Sequence, residues 1–264
     1  MKYIKKYKLF SEREFLQSRI FESIETEMDV SDQKLISLPE LPNSLETLDC
    51  YSNKLTSLPK LPDLLEYLDC NDNKITSLPK LPDTLEVLYC NDNKLTSLPG
   101  LPDTLETLYC ENNQLTSLPK LPNTLYYLSC DNNKLTSLPE LPDILYYLSC
   151  ENNQLTSLPK LPDTLERLYC ENNKLTSLPE LPDTLNYLSC SNNNFKEPIK
   201  KEIIDKFKLK DLYTKESIEL FKTYEFQKEF LDRTGRIQDI KEWILPEIKK
   251  EFSYLYDSEE IGLL

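Results

Sequence analysis

The chain contains no histidine and only three glycines among its 264 residues. Without histidine it lacks the commonest general base and the commonest metal ligand. With so few glycines it has no Gly-rich loop to cradle a phosphate, and no zinc motif or catalytic triad is found. No enzymatic activity, metal or cofactor is therefore expected. No apolar run approaches the roughly 20 residues of a membrane span. The opening segment MKYIKKYKLFSEREF is basic but has no apolar stretch behind it, so no secretory signal peptide is expected. Positive charge is also short, with 31 Lys and Arg against 45 Asp and Glu, a net charge of −14. Such a surface repels phosphate backbones, so nucleic acid is not expected as a partner, whereas a protein with a basic patch is.

Proline and cysteine are plentiful, and both are periodic. The eight cysteines stand at 50, 70, 90, 110, 130, 150, 170 and 190. Around each lies a copy of the segment LPDTLERLYCENNKLTSLPE, which runs from Leu161 to Glu180. The constant positions are Leu161, Pro162, Leu165, Leu168, Cys170, Asn173, Leu175, Leu178 and Pro179. A fixed period of this kind indicates a solenoid. Leu168 and Cys170 alternate with Arg167, Tyr169 and Glu171, as inward and outward residues of a short strand do. Stacked copies then form a parallel sheet. The two prolines of each copy lack an N–H for the ladder, so they belong on the opposite side in extended or polyproline-like chain. The constant Asn stands where the chain leaves the sheet, and its amide can pair backbone groups there.

This pattern resembles the leucine-rich repeat family, in the short 20-residue class of bacterial effectors with the LPxLP phrase, a type also expected in large viruses. The resemblance covers roughly residues 28–198, with cysteine at a position where the family usually carries Val, Leu or Ile. It implies an α/β repeat solenoid: a parallel β-sheet on one face, extended segments on the other and helical caps at both ends. It also raises the possibility of an effector-type ubiquitin ligase, which uses a cysteine in a C-x-D motif. The tail beyond residue 200 has no cysteine, and Cys70-Asn71-Asp72 and Cys90-Asn91-Asp92 sit in repeat register with sulfur turned inward. That activity is therefore disfavoured.

The cysteines read as a core ladder of small hydrophobes. Side chains on in-register parallel strands stay about 4.8 Å apart, beyond the usual ~3.5–4.5 Å Cβ separation of a disulfide. A column of unpaired thiols suits a reducing compartment, so a cytoplasmic location, in the chain's own cell or a host cell, is expected. Residues 1–27 are expected to form an N-terminal helical cap, opened by a capping box of Ser11 and Glu14. Residues 28–199 then form the solenoid, whose degenerate first turn places Met28 and Val30 at the Leu and Cys positions. Residues 200–264 form a C-terminal helical cap or small helical module.

Constant positions explain the fold, so specificity falls to the outward positions of the strands. Every outward triplet contains a tyrosine. The candidate partner-binding residues are Tyr67, Tyr89, Tyr109, Tyr127, Tyr147, Tyr169 and Tyr187, with Asp131, Glu151 and Glu171 as a carboxylate column along their edge. Tyrosine offers a large, rigid contact area at low entropic cost. The expected function is a non-catalytic scaffold, monomeric, that recognises a protein, a host protein among the possibilities, through this face. The alternative is a receptor-like or adhesive structural module.

Overall fold

The computed structural model describes residues 26–196 together with Ile203. Within them the chain climbs in 20-residue turns, each contributing one three-residue strand to a single parallel sheet in sequence order. The strands are β1 (Glu27–Asp29), β2 (Thr47–Asp49), β3 (Tyr67–Asp69), β4 (Val87–Tyr89), β5 (Thr107–Tyr109), β6 (Tyr127–Ser129), β7 (Tyr147–Ser149), β8 (Arg167–Tyr169) and β9 (Tyr187–Ser189). Register is constant, with Met28 opposite Leu48 at one end and Leu168 opposite Leu188 at the other. The degenerate turn thus joins the sheet, one residue earlier than its expected start, since Glu27 already belongs to β1.

The strands are short because inward residues recur three apart just before them. Leu165 and Leu168 are both buried, so Glu166 and Arg167 must both face outward, and strict alternation holds only from Arg167 to Cys170. The ladder continues one step past each strand, where Cys170 N–H donates to Ser189 O at 2.8 Å and Cys110 N–H to Ser129 O at 2.9 Å. Leucines and cysteines from Met28 to Cys190 make one continuous core, and Phe195 and Ile203 pack partly buried against it.

Each turn leaves the sheet through a residue with positive φ: Ser52, Asp72, Asp92, Asn112, Asn132, Asn152, Asn172 and Asn192, all between 49° and 54°. Asn and Asp tolerate this left-handed conformation better than other non-glycine residues. A tight turn repeated along the solenoid is thereby built without glycine. The next residue is the constant asparagine. Asn73 Oδ1 accepts from Leu55 N–H of the preceding turn at 2.9 Å. Its Nδ2 donates to Cys50 O, 23 residues back, and to Cys70 O and Asn71 O of its own turn. Every asparagine of the column from Asn53 to Asn193 makes this kind of bridge.

The prolines of the described residues all lie outside the strands. Pro62 O accepts from Leu65 N–H at 3.2 Å, closing a turn that feeds the strand, and the other turns repeat this bond. No α-helix joins one strand to the next. Two prolines among the residues between strands remove the N–H groups that a helix would need. The described part is therefore a parallel β-solenoid, with extended segments between its strands as expected. The helical caps expected at 1–27 and 200–264 fall outside the described residues, apart from Ile203, which is helical.

Candidate functional site

From β3 to β9 each strand carries one tyrosine at its outward positions. Tyr127, Tyr147 and Tyr187 open their strands and Ser129, Ser149 and Ser189 close them; Tyr89, Tyr109 and Tyr169 instead close theirs. A ring and a small residue thus alternate between columns, which lets neighbouring rings meet without crowding. Tyr67 meets Tyr89 edge-on with centroids 5.7 Å apart, and Tyr89 meets Tyr109 at 5.1 Å. A second run links Tyr127 to Tyr147 at 6.2 Å, Tyr147 to Tyr169 at 5.5 Å and Tyr169 to Tyr187 at 4.7 Å. These separations fall in the range where aromatic pairs attract. Burial pushes the phenols of Tyr67 and Tyr147 up to about 12, so they act as neutral hydrogen-bonding rings.

At the strand ends Glu111, Asp131, Glu151 and Glu171 occupy consecutive turns. Asp131 is partly used by the fold. Its carboxylate accepts from the Ser149 hydroxyl at 2.7 Å and from Glu151 N–H at 2.7 Å. Asn71 and Asn91 use their side-chain oxygens in the same way toward the next turn, on Asn91 N–H and Glu111 N–H. Glu171 accepts from the Ser189 hydroxyl. Glu151 has acidic neighbours on both sides. Its carboxyl is pushed up to about 7, first by burial and then by the charges of Asp131, Glu171 and Glu111. Burial also raises Asp131, against the lowering effect of its hydrogen bonds.

The thiols are remote from this face. All eight cysteines are free and buried. Burial, ahead of any nearby charge, holds Cys70, Cys90, Cys110, Cys130 and Cys150 well above the ordinary thiol value. Their sulfurs lie 3.3–3.5 Å from the carbonyl oxygens to which their own N–H groups donate. Cys70 and Cys90, the two cysteines in a C-x-D context, are among these buried, protonation-favoured thiols. Among the described residues no His, Cys, Asp or Glu group is arranged to hold a metal, and no helix is long and apolar enough to cross a membrane.

The structure brings the predicted tyrosines into contact and lines the acids along their edge. It adds two residues that strand alternation overlooks. Tyr126 and Tyr146 directly precede β6 and β7, and their rings stack at 5.0 Å with planes 12° apart. Tyr126 also meets Tyr127 edge-on at 4.9 Å. A departure from the repeat could have revealed them, because most other turns carry Glu at this position.

The family model described as Leucine Rich repeats (2 copies) matches residues 43–83, 63–103, 83–123 and 103–143. Among solved structures, YopM from Yersinia enterocolitica WA-314 is 39% identical, with a TM-score of 0.61, over 66% of this chain and 44% of that one. A Shigella effector LRR domain is 31% identical, with a TM-score of 0.53, over 74% of this chain and 80% of that one. The chain therefore spans less than half the length of YopM. None of the curated proteins matches it.

Proposed function

Because the chain belongs to the leucine-rich repeat family, in its bacterial-effector type, we propose that it is a non-catalytic scaffold that binds a protein with a basic patch through its tyrosine-rich, acidic strand face. The observation that carries this reading is the run Tyr127–Tyr147–Tyr169–Tyr187, edged by Asp131, Glu151 and Glu171. Folding alone asks only for strand-forming residues at these positions. A contiguous ring surface beside carboxylates also matches what protein interfaces use, because Tyr gives rigid area and acidic rim charges speed the approach of a basic partner. The likeness to a Shigella effector domain supports a host protein as the target. The unpaired thiols support a cytoplasmic, reducing location. The scaffold acts as a monomer, one chain per partner.

The test is comparative capture with the full chain. Parent, Tyr127→Ala/Tyr147→Ala and Lys120→Ala/Lys160→Ala proteins are immobilised, and the retained proteins are compared by mass spectrometry. A specific partner should be lost with the tyrosine variant and kept with the proline-side variant, while thermal unfolding stays unchanged. Loss of an interface tyrosine at a hot spot weakens binding by about 2 kcal/mol, or roughly thirtyfold. If the lysine variant loses the partner and the tyrosine variant keeps it, the binding surface lies on the other side.

A further inference from the structure

One position in the repeat changes character at two adjacent turns only. In the column just before the strands, the residues are Glu46, Glu66, Glu86, Glu106, Tyr126, Tyr146, Glu166 and Asn186. Backbone hydrogen bonds hold this column in step: Tyr126 N–H donates to Glu106 O, Tyr146 N–H to Tyr126 O and Glu166 N–H to Tyr146 O, at 2.8–3.0 Å. Strand preference favours tyrosine inside strands, but these two tyrosines lie before β6 and β7. The fold does not require them either, since the other turns form with Glu or Asn there. Tyr126 is 38% exposed.

A neighbouring column also carries exposed apolar residues, at Leu64 and at Ile144. Thr84, Thr104, Thr124, Thr164 and Thr184 each turn a hydroxyl onto two carbonyls of the preceding turn, as Thr124 does on Asp103 O and Leu105 O at 2.8 and 2.9 Å. At the turn of Tyr146 this residue is Ile144, which gives up that hydrogen bond and is 44% exposed. At the turn of Tyr146 an exposed apolar residue thus stands beside the stacked ring pair, whereas Leu64, 51% exposed, makes the same exchange at the turn of β3 without one. Carboxylates bracket the pair in the same column, with Glu106 before Tyr126 and Glu166 after Tyr146. Glu166 also receives a hydrogen bond from the Tyr146 hydroxyl.

Parallel rings 5.0 Å apart cover each other's inner faces, so each offers its outer face, Tyr126 exposed and Tyr146 half-buried, with an acid of the same column about one strand spacing, ~4.8 Å, beyond it; such a face beside an acid fits a planar cation. A guanidinium stacks on aromatic faces and forks onto carboxylates, whereas an ammonium is a compact, strongly hydrated point charge. We propose that Tyr126 and Tyr146 form a stacking platform for an arginine side chain of the protein partner, with Glu106 and Glu166 as its flanking acids; this rests on the reading that the strand side is the binding surface. Arg167, the one cation of the outward strand positions, lies near Tyr146 and opposes its effect on the phenol of the Glu166 charge.

Labelled oligo-arginine and oligo-lysine peptides of equal length are titrated against the full chain at fixed ionic strength, with fluorescence anisotropy as the readout. Two exposed cation–π contacts favour arginine by about fivefold or more. Tyr126→Leu/Tyr146→Leu should erase that preference while leaving oligo-lysine affinity unchanged. Tyr126→Glu/Tyr146→Glu installs the residue most other turns use, so folding is preserved. It should bring the arginine-to-lysine ratio to about one while both peptides bind at least as tightly by charge. Equal affinities in the parent, or a preference that survives in both variants, would overturn the platform. Such a result leaves the acidic-face reading standing if Asp131→Lys/Glu151→Lys/Glu171→Lys weakens both peptides. Failure of either peptide to bind the parent overturns both readings.

Discussion

Replacing Asn113 by alanine removes a buried amide that holds two turns together. Its Oδ1 accepts from Leu95 N–H at 2.9 Å. Its Nδ2 lies 2.9 Å from Cys90 O, 3.2 Å from Cys110 O and 2.9 Å from Glu111 O. Two N–H groups shared among three carbonyls, with one accepted bond, amount to about three full hydrogen bonds. The side chain is 8% exposed, so water cannot replace them freely. A buried N–H left without a partner costs about 1–3 kcal/mol, and each further lost bond about 0.5–1.5 kcal/mol. The expected loss is about 3–5 kcal/mol, a large part of the ~5–15 kcal/mol that holds a typical domain together. Since each turn is stabilised only by its neighbours, the damage should centre on the interface between the turns of β4 and β5. Urea denaturation should show the loss, and hydrogen exchange at the Leu95 amide should speed up by about 100-fold or more. Asn113→Asp keeps the acceptor for Leu95 but sets a negative charge against three carbonyls, so it should cost at least as much. The neighbouring Asn112→Ala, at a φ of 52°, should cost only about 1–2 kcal/mol. A loss below about 1 kcal/mol for Asn113→Ala, or a neutral Asn113→Asp, would refute the bridging role.

Two further outcomes follow from the column chemistry. A thiol reagent should find all eight cysteines inert in the native protein at neutral pH and reactive in denaturant; rapid reaction of several thiols before unfolding would contradict the buried ladder. Stability should also fall with rising pH across the range set by Glu151. Its folded value, about 7, lies above the ordinary 4.5, so the folded chain holds this proton more tightly than the unfolded chain. The contribution is fully present below about 4.5 and is lost as pH rises through about 7. Solvent screening at this half-buried site limits it to about 1 kcal/mol. Melting curves at pH 5.5 and pH 8 should converge in Glu151→Gln, and an unchanged difference would place its origin elsewhere.

The fold was legible because one physical demand repeats along the chain. Leu and Cys spacing gave the inward positions, proline gave the side without a ladder, and the constant asparagine marked where the chain leaves the sheet. The left-handed residue was not recognised, although Asn or Asp stands at seven of its eight sites from 52 to 192. Glycine is the usual marker of positive φ, and its scarcity hid a turn that Asn and Asp make instead. The paired prolines excluded helices between strands, and the helices of the α/β class were the two caps, which lie outside the described residues apart from Ile203.

The candidate site was legible only as far as two-residue alternation reaches. That rule assigns Tyr127 and Tyr147 to the outer face and leaves no outward place for the residues before them. Buried leucines three apart require two successive outward residues, and there the chain carries Tyr126 and Tyr146. The same comparison separates two kinds of outward residue. Asp131, Asn91 and the threonines return their polar atoms to the backbone of adjacent turns, so a change there would disturb fold and binding together. Tyr126 and Tyr146 stand where most other turns carry Glu, and Tyr126 offers ring area to solvent, while Ile144 gives up the threonine bond at its turn and is exposed. Exposed area that the solenoid does not need is the property a partner can select, and the turns of β6 and β7 hold some of it as Tyr126 and Ile144 beside the ring stack.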